Sequence, residues 1–259
     1  MWYLLSGILM GIANVVPGVS GGTIAVLMGI YDKLIEAVDS LVSRDFKSLR
    51  ILLPVGFGIL GGIFGFASFL EYSLSNYPVP TRFFFVGLVV VSFIKAKGFF
   101  RFNRKNLILV LIGIVCVLLL NLMNKGESKE NLLFLLLGGF VAAIAMVIPG
   151  ISGSLILLIL GVYDSVLSMV SHLIVGKLLI FSLGAALGLI VSIKVMKFFL
   201  KNFKEETYSF IGGMIVASLY EVLPKNMVSG DIPFSILSFI LSLILGIGLL
   251  KVEKKLSAT

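Results

Sequence analysis

The sequence predicts an all-α polytopic membrane protein, and three observations carry that prediction. Of its 259 residues, 59% are hydrophobic and only 13% are charged, about half the charged share of an ordinary soluble domain. The apolar residues lie in long continuous blocks between short polar connectors, the pattern of membrane helices rather than of alternating barrel strands. A stretch rich in Pro, Gly and Ser interrupts one apolar block and returns once, 132 positions later.

The first interruption reads Asn14-Val15-Val16-Pro17-Gly18-Val19-Ser20-Gly21-Gly22-Thr23. Pro17 has no backbone N–H to donate, and Gly18, Gly21 and Gly22 lower helix propensity. Apolar residues flank the stretch from Trp2 to Val16 and from Ile24 to Ile30. A backbone break at membrane depth is tolerated only where it is buried in protein or lines a wet cavity, which makes this stretch a site candidate from its residues alone.

The second copy aligns Ile144-Ala145-Met146-Val147-Ile148-Pro149-Gly150 with residues 12–18. The match continues through Ser20/Ser152, Gly21/Gly153, Ile24/Ile156, Gly29/Gly161, Tyr31/Tyr163 and Asp32/Asp164. Chance similarity between apolar segments rarely aligns Pro-Gly, Ser-Gly and Gly-x-Tyr-Asp at one offset. Apolar segments follow at 51–70, 83–94 and 107–121 in the first half, and at 178–193, 207–222 and 234–250 in the second. Phe85-Val86-Gly87 is echoed by Phe210-Ile211-Gly212. The expectation is one membrane domain over 1–259 with repeats at 1–125 and 131–255, each a broken motif plus three spans.

Charge tests the topology. If each broken motif leaves on the side it entered, connectors 43–50, 95–106, 194–206 and 251–255 share one side and hold 15 basic residues, against 5 in connectors 71–82, 122–131, 171–177 and 221–233. The positive-inside bias then places the first set, and both termini, in the cytoplasm. Ser20 to Gly29 is about 15 Å of helix, half of a ~30 Å hydrocarbon core, so the motifs are expected to be re-entrant hairpins. Asp32 and Asp164 would cap interfacial helices at 33–42 and 165–175. Three spans per half force the halves into opposite orientations, an inverted-topology repeat.

Two such hairpins entering from opposite faces would bring their breaks together at mid-membrane. Half-helices starting at Pro17 and Pro149 would aim the free amides of Val19 to Gly22 and Ile151 to Ser154 into the centre, a setting that favours an anion. Ser20, Thr23, Ser152 and Ser154 would add hydroxyl donors. Alternatively, Gly and Ser serve only as small residues for tight helix packing.

The sequence Pro17-Gly18-Val19-Ser20-Gly21-Gly22-Thr23, together with Pro149-Gly150-Ile151-Ser152-Gly153-Ser154 and the paired Gly-x-Tyr-Asp, resembles the bacterial polyprenyl-phosphate transporter family, formerly a membrane family of unknown function. The resemblance covers nearly the whole chain. It implies a flippase of the bacterial inner membrane that returns undecaprenyl phosphate from the outer to the cytoplasmic leaflet, recycling the lipid carrier of cell-wall synthesis. Asn14 stands where that family carries Asn or Asp, so no negative charge is required there. An isoprenoid phosphate pairs an anionic head with an apolar tail, and the tail could stay in lipid outside the bundle. A secondary transporter of a small soluble anion would use the same residues.

Arg82 begins the 83–94 segment and could either capture phosphate bidentately or snorkel to the interface. Glu71 could pair with Arg82 or carry a coupling proton. Proton or sodium coupling is open, and no Walker-type nucleotide loop is present. His172 is either a pH sensor or an ordinary interfacial histidine, and Lys177 is as ambiguous as Arg82. The net charge of +8 and the run Phe99-Phe100-Arg101-Phe102-Asn103-Arg104-Lys105 fit anionic lipid head groups rather than nucleic acid. Lys194, Lys197, Lys201 and Lys204 read the same way. An enzyme is not expected: a single His and no metal-ligand spacing leave little catalytic equipment. Neither a cofactor nor a bound metal is expected. The single Cys116 excludes a disulfide framework. The start of the chain has neither the basic region nor the cleavage site of a removable signal peptide.

Overall fold

The computed structural model describes residues 1–259 apart from 17, 125, 127–130, 173, 228 and 258–259. Among the described residues, all regular structure is helical. The first half runs α1 (Trp2–Val15), α2 (Gly21–Leu27), α3 (Tyr31–Val42), a 3-10 turn (Phe46–Ser48), α4 (Leu49–Asn76), α5 (Pro78–Lys97) and α6 (Arg104–Leu122). The second runs α7 (Leu132–Val147), α8 (Gly153–Ile159), α9 (Tyr163–Ser171), α10 (Val175–Asn202), α11 (Lys204–Val222), a 3-10 turn (Ser229–Asp231) and α12 (Ile232–Ser257). The same succession of a medium helix, a seven-residue helix, a short helix and three long ones therefore occurs twice.

Among the described residues, five helices are long and apolar enough to cross a membrane: Phe46–Asn76, Pro78–Lys97, Arg104–Leu122, Val175–Asn202 and Ile232–Leu256. The sixth expected span, 207–222, forms α11, which is helical but not among these five. Its position explains the difference. α11 packs against α5, α6 and α10, and Thr207, Ser209, Gly212, Gly213 and Ser218 are buried on it. A helix surrounded by protein needs less lipid-compatible surface, and its small residues let neighbours approach.

Long-range packing also repeats. α1 lies along α4, and α7 lies along α10; α5 lies along α12, and α6 along α11, with α5 and α11 crossing between the halves. The seams are close because glycines face backbone. A Cβ on Gly7 or Gly11 would fall 2.2 Å from the carbonyl oxygens of Val55 or Ile59, and one on Gly184 or Gly188 would meet those of Leu136 or Phe140. Any larger residue would force these helix pairs apart.

Helix ends depart from expectation in three places. α2 stops at Leu27, so it is seven residues, about 10 Å rather than 15 Å. α3 starts at Tyr31 with Ile30 at its N-cap, so Asp32 falls in the first turn and does not cap. Its carboxylate is drawn instead to α11, where Lys204 Nζ lies 2.6 Å away and the Tyr208 hydroxyl donates to it. Asp164 likewise falls in the first turn of α9. The start of α5 at Pro78 uses proline where a missing N–H costs nothing.

Charged side chains at one end of the bundle are more occupied than a purely lipid-facing role implies. Lys95 pairs with Glu253, Lys197 with Asp39 and Lys105 with Glu206. Phe99 stacks on Tyr208 at 4.3 Å, and Lys204 Nζ sits 5.2 Å from the Phe99 ring centre. Lys197, Lys204 and Lys105 thus tie helices together.

Candidate substrate-binding site

Both interruptions fold back on themselves. Trp2, at the start of α1, donates its indole N–H to the carbonyl of Met28, just past α2, while Asn14 at the other end of α1 meets Gly21. α1 and α2 therefore run antiparallel. In the second copy Gly153 lies against Met146, and Val162 lies against Gly138, which makes α7 and α8 a matching pair. Gly18 and Gly150 take left-handed φ values of 86° and 90°, a conformation that glycine adopts without the Cβ penalty. Each turns the chain between its two helices. Pro17, expected to start the first half-helix, lies outside the described residues. The helices begin at Gly21 and Gly153 with Ser20 and Ser152 as N-caps.

The two interruptions touch. The Gly150 amide donates to Thr23 Oγ1 at 3.1 Å, and a Cβ on Gly22 would stand 3.3 Å from Pro149 Cα. Tyr31, immediately after the first motif, donates its hydroxyl to the Val147 carbonyl at 2.9 Å, occupying an acceptor that α7 leaves at its C-terminus. Thr23, Gly150 and Tyr31 are all buried. These contacts join the two interruptions in the interior of the bundle.

The copies differ in what remains free. In the first, the amides of Val19, Gly21 and Gly22 are taken by Val16 O, Asn14 Oδ1 and Ser20 Oγ. All seven residues of α2 are buried, against α1, α5, α7 and α12. The expectation of bare amides from Val19 to Gly22 is therefore not met at Val19, Gly21 and Gly22, whose donors are taken by a backbone carbonyl, a neighbouring carboxamide and a capping serine. In the second, Ile151 donates back to Ile148, but Ser152 makes no capping bond. Its hydroxyl instead lies 2.7 Å from that of Ser154, which is exposed. Among the described residues, the amides of Gly153 and Ser154 have no acceptor. Three substitutions distinguish the copies here, the first two of them at the helix-start amides. Asn14 gives way to Met146, removing the carboxamide; Gly22 gives way to Ser154, adding a hydroxyl; Thr23 gives way to Leu155, removing the cross-copy acceptor.

Arg82 stands just past the first turn of α5 and reaches the end of α11, where its guanidinium donates to the carbonyl oxygens of Glu221 and Val222 at 3.4 Å. The expected ion pair with Glu71 does not form; Glu71 is exposed on α4, and the half-buried Glu221 is the acid near Arg82. Gly18 leans on the same place, since its Cβ position is 2.9 Å from Glu221 Cγ. Arg82 and Glu221 therefore stand behind the first interruption. Sequence reading passed over Glu221, although a carboxylate closing the apolar run 207–222 is the signal that would have flagged it. His172, just past α9, is exposed, with Nδ1 3.0 Å from the Ser168 carbonyl of that helix.

Beside α1 and α2 lies an apolar cavity of about 530 Å³, bounded also by α4, α5 and α12. Among the described residues no group of three or more His, Cys, Asp or Glu is arranged to hold a metal ion.

The family described as undecaprenyl phosphate translocase-like matches residues 10–233. A polyprenyl-phosphate transporter of Staphylococcus aureus is 35% identical over 94% of this chain and 95% of its own. One from Vibrio cholerae is 31% identical over 85% of this chain and 76% of its own. No solved structure matches. With five membrane-span candidates and relatives of this kind aligned over most of its length, the chain is a multi-pass membrane protein that belongs to the undecaprenyl phosphate translocase-like family.

Proposed function

We propose that this protein is a flippase that carries polyprenyl phosphate from the outer to the cytoplasmic leaflet of the bacterial inner membrane, taking the phosphate through the contact between its two interruptions. The observation that carries this reading is the juxtaposition of Thr23, Gly22, Pro149 and Gly150 in a chain whose S. aureus relative is a polyprenyl-phosphate transporter. The repeated element order and the exchanged pairing of α5 with α12 and α6 with α11 support an inverted repeat over 1–125 and 131–255. The antiparallel α1–α2 and α7–α8 pairs support re-entrant hairpins that start from opposite faces. The distribution of basic residues puts both termini in the cytoplasm.

In this reading the phosphate is received first at the second interruption, by the amides of Gly153 and Ser154 and the hydroxyls of Ser152 and Ser154. Charge-assisted hydrogen bonds of this kind replace part of the water that an anion loses on leaving the interface. Asn14, Ser20, Gly21, Gly22 and Thr23 hold the opposite wall, and Gly18 and Pro149 fix its turns. Arg82, braced on the end of α11, supplies positive charge beside the first interruption. Pro17 completes that interruption in the sequence. The chain's own residues here bind and desolvate, and no bond is made or broken, as befits a transporter rather than an enzyme.

The test is reconstitution in liposomes with leaflet-resolved detection of undecaprenyl phosphate, with and without a proton or sodium gradient. The protein is expected to accelerate equilibration of the lipid between leaflets, and Gly153→Val to abolish this while still inserting. Equal rates in protein-free liposomes, or movement of inorganic phosphate instead of the lipid, would reject the assignment.

A further inference from the structure

The apolar cavity has a place in this reading that the sequence did not suggest. Its inner wall is Ile12 and Ala13 of α1 with Ile24 and Leu27 of α2, the same hairpin that forms the first interruption. Its sides are α4, α5 and α12, and its lining includes Phe66, Phe69, Phe84, Phe85 and Phe234. Phe66, Phe69 and Phe234 are exposed, so the cavity opens at the side of the bundle, and the few polar residues of its lining include Ser73, Tyr77 and Thr81 near the ends of α4 and α5. At about 530 Å³ it falls within the roughly 300–1,000 Å³ typical of ligand sites.

We propose that this cavity is a binding site for the phosphate-proximal isoprene units of the substrate, so that the start of the tail travels inside the protein rather than in bulk lipid. The proposal rests on the polyprenyl-phosphate reading above and specifies where its lipid is recognised. Three features select this occupant. The cavity is walled by the α1–α2 hairpin, whose Gly22 and Thr23 meet Pro149 and Gly150 of the second interruption, so a chain attached to a phosphate held there can lie along that hairpin into the cavity. Its volume holds a few isoprene units and not a whole polyprenyl chain, which leaves the remainder to emerge through the open side. Its walls carry many phenyl rings, whose flat faces and fixed width suit a chain stiffened by double bonds and methyl branches better than a freely flexing saturated chain. Burial of such a chain is driven by the apolar area taken from the interface, together with ring contacts. A phosphate held by amides alone would not separate a lipid phosphate from a soluble one; a tail site does.

The experiment is photolabelling of the full-length protein in liposomes, using a short isoprenoid phosphate with a diazirine in its second isoprene unit. A matching isoprenol without phosphate and a phosphatidylglycerol with a diazirine in one acyl chain run alongside. Adducts are expected on the peptides of α5 and α12 that carry Phe84, Leu88, Ser238 and Leu241. Unlabelled undecaprenyl phosphate should displace them, and Ser238→Trp, which fills the cavity, should reduce labelling at least tenfold. Leu241→Trp, at an exposed lining position, gives the same reading if the first variant does not fold. Labelling by the isoprenol as strong as by the phosphate would uphold the tail site and count against the head-group reading alone. Protection of Ser154→Cys from alkylation by undecaprenyl phosphate, with no adduct in the cavity, would uphold the head-group reading and overturn the tail site. Equal labelling by phosphatidylglycerol that undecaprenyl phosphate does not displace would overturn it too, by showing a general lipid crevice.

Discussion

The two interruptions share Pro-Gly, Ser-Gly and a left-handed glycine, yet one is closed and the other open. In the first, Asn14 and Ser20 consume the amides that start α2, and the helix is wholly buried. In the second, Met146 replaces the carboxamide, Ser152 caps nothing, and Ser154 is exposed. Duplicated sequence therefore supplies two similar turns, and a handful of side chains decides which of them keeps its helix-start amides free. The physical lesson is that a broken helix is not by itself an anion site. Its amides must be left unsatisfied by their own neighbours.

The largest effect in this comparison is expected at the turning glycines. Gly150→Ala places a Cβ 2.5 Å from the Met214 backbone at a φ of 90°, and should cost about 3 kcal/mol or more. Gly18→Ala, where the nearest atom is a Glu221 side-chain carbon, should cost less, about 1–3 kcal/mol. Thermal unfolding in detergent orders the two; a reversed order would contradict the packing of the second turn on α11.

Function should respond in the opposite sense at the serines. Replacing Ser152 and Ser154 together by alanine removes two hydroxyl donors and is expected to slow lipid transport about tenfold to a hundredfold with little loss of stability. Ser20→Ala removes a cap that is already in use, so it should cost about 1 kcal/mol of stability and slow transport less. Equal transport defects would mean that the two interruptions serve the ligand alike.

Met146→Asn sharpens the comparison by giving the second copy the residue of the first. If the new carboxamide accepts from Gly153 as Asn14 does from Gly21, α8 gains about 1 kcal/mol and transport falls severalfold. Asn14→Ala should lose about 1 kcal/mol, while Asn14→Asp retains the acceptor. The smallest change is expected at the distant ion pair: Lys204→Gln breaks its bond with Asp32, but Lys204 is half exposed, so the loss should stay within about 1 kcal/mol and shrink with salt.

Much of this was legible in the residues. Pro149, Gly18 and Gly150 mark where helices must stop, because a missing N–H and a left-handed turn are local properties. The repeat announced itself through spacing. The partners of Arg82 and Asp32 were not legible, since the sequence offered Glu71 and a capping role while the fold supplied Glu221, Lys204 and Tyr208 from another helix. Nor was the state of the first amides, because a hydrogen bond between Asn14 and Gly21 exists only once α1 and α2 have folded back together.

By itself the sequence determined an all-helical membrane chain, its duplication, and the two places where the helices break, since hydropathy, spacing and backbone chemistry are written residue by residue. Only the tertiary structure decided that the breaks meet through Thr23 and Gly150, that one is sealed, and that an apolar cavity lies beside it. Those outcomes depend on which surfaces the packed helices bring within hydrogen-bonding or van der Waals reach, and no local pattern encodes that distance.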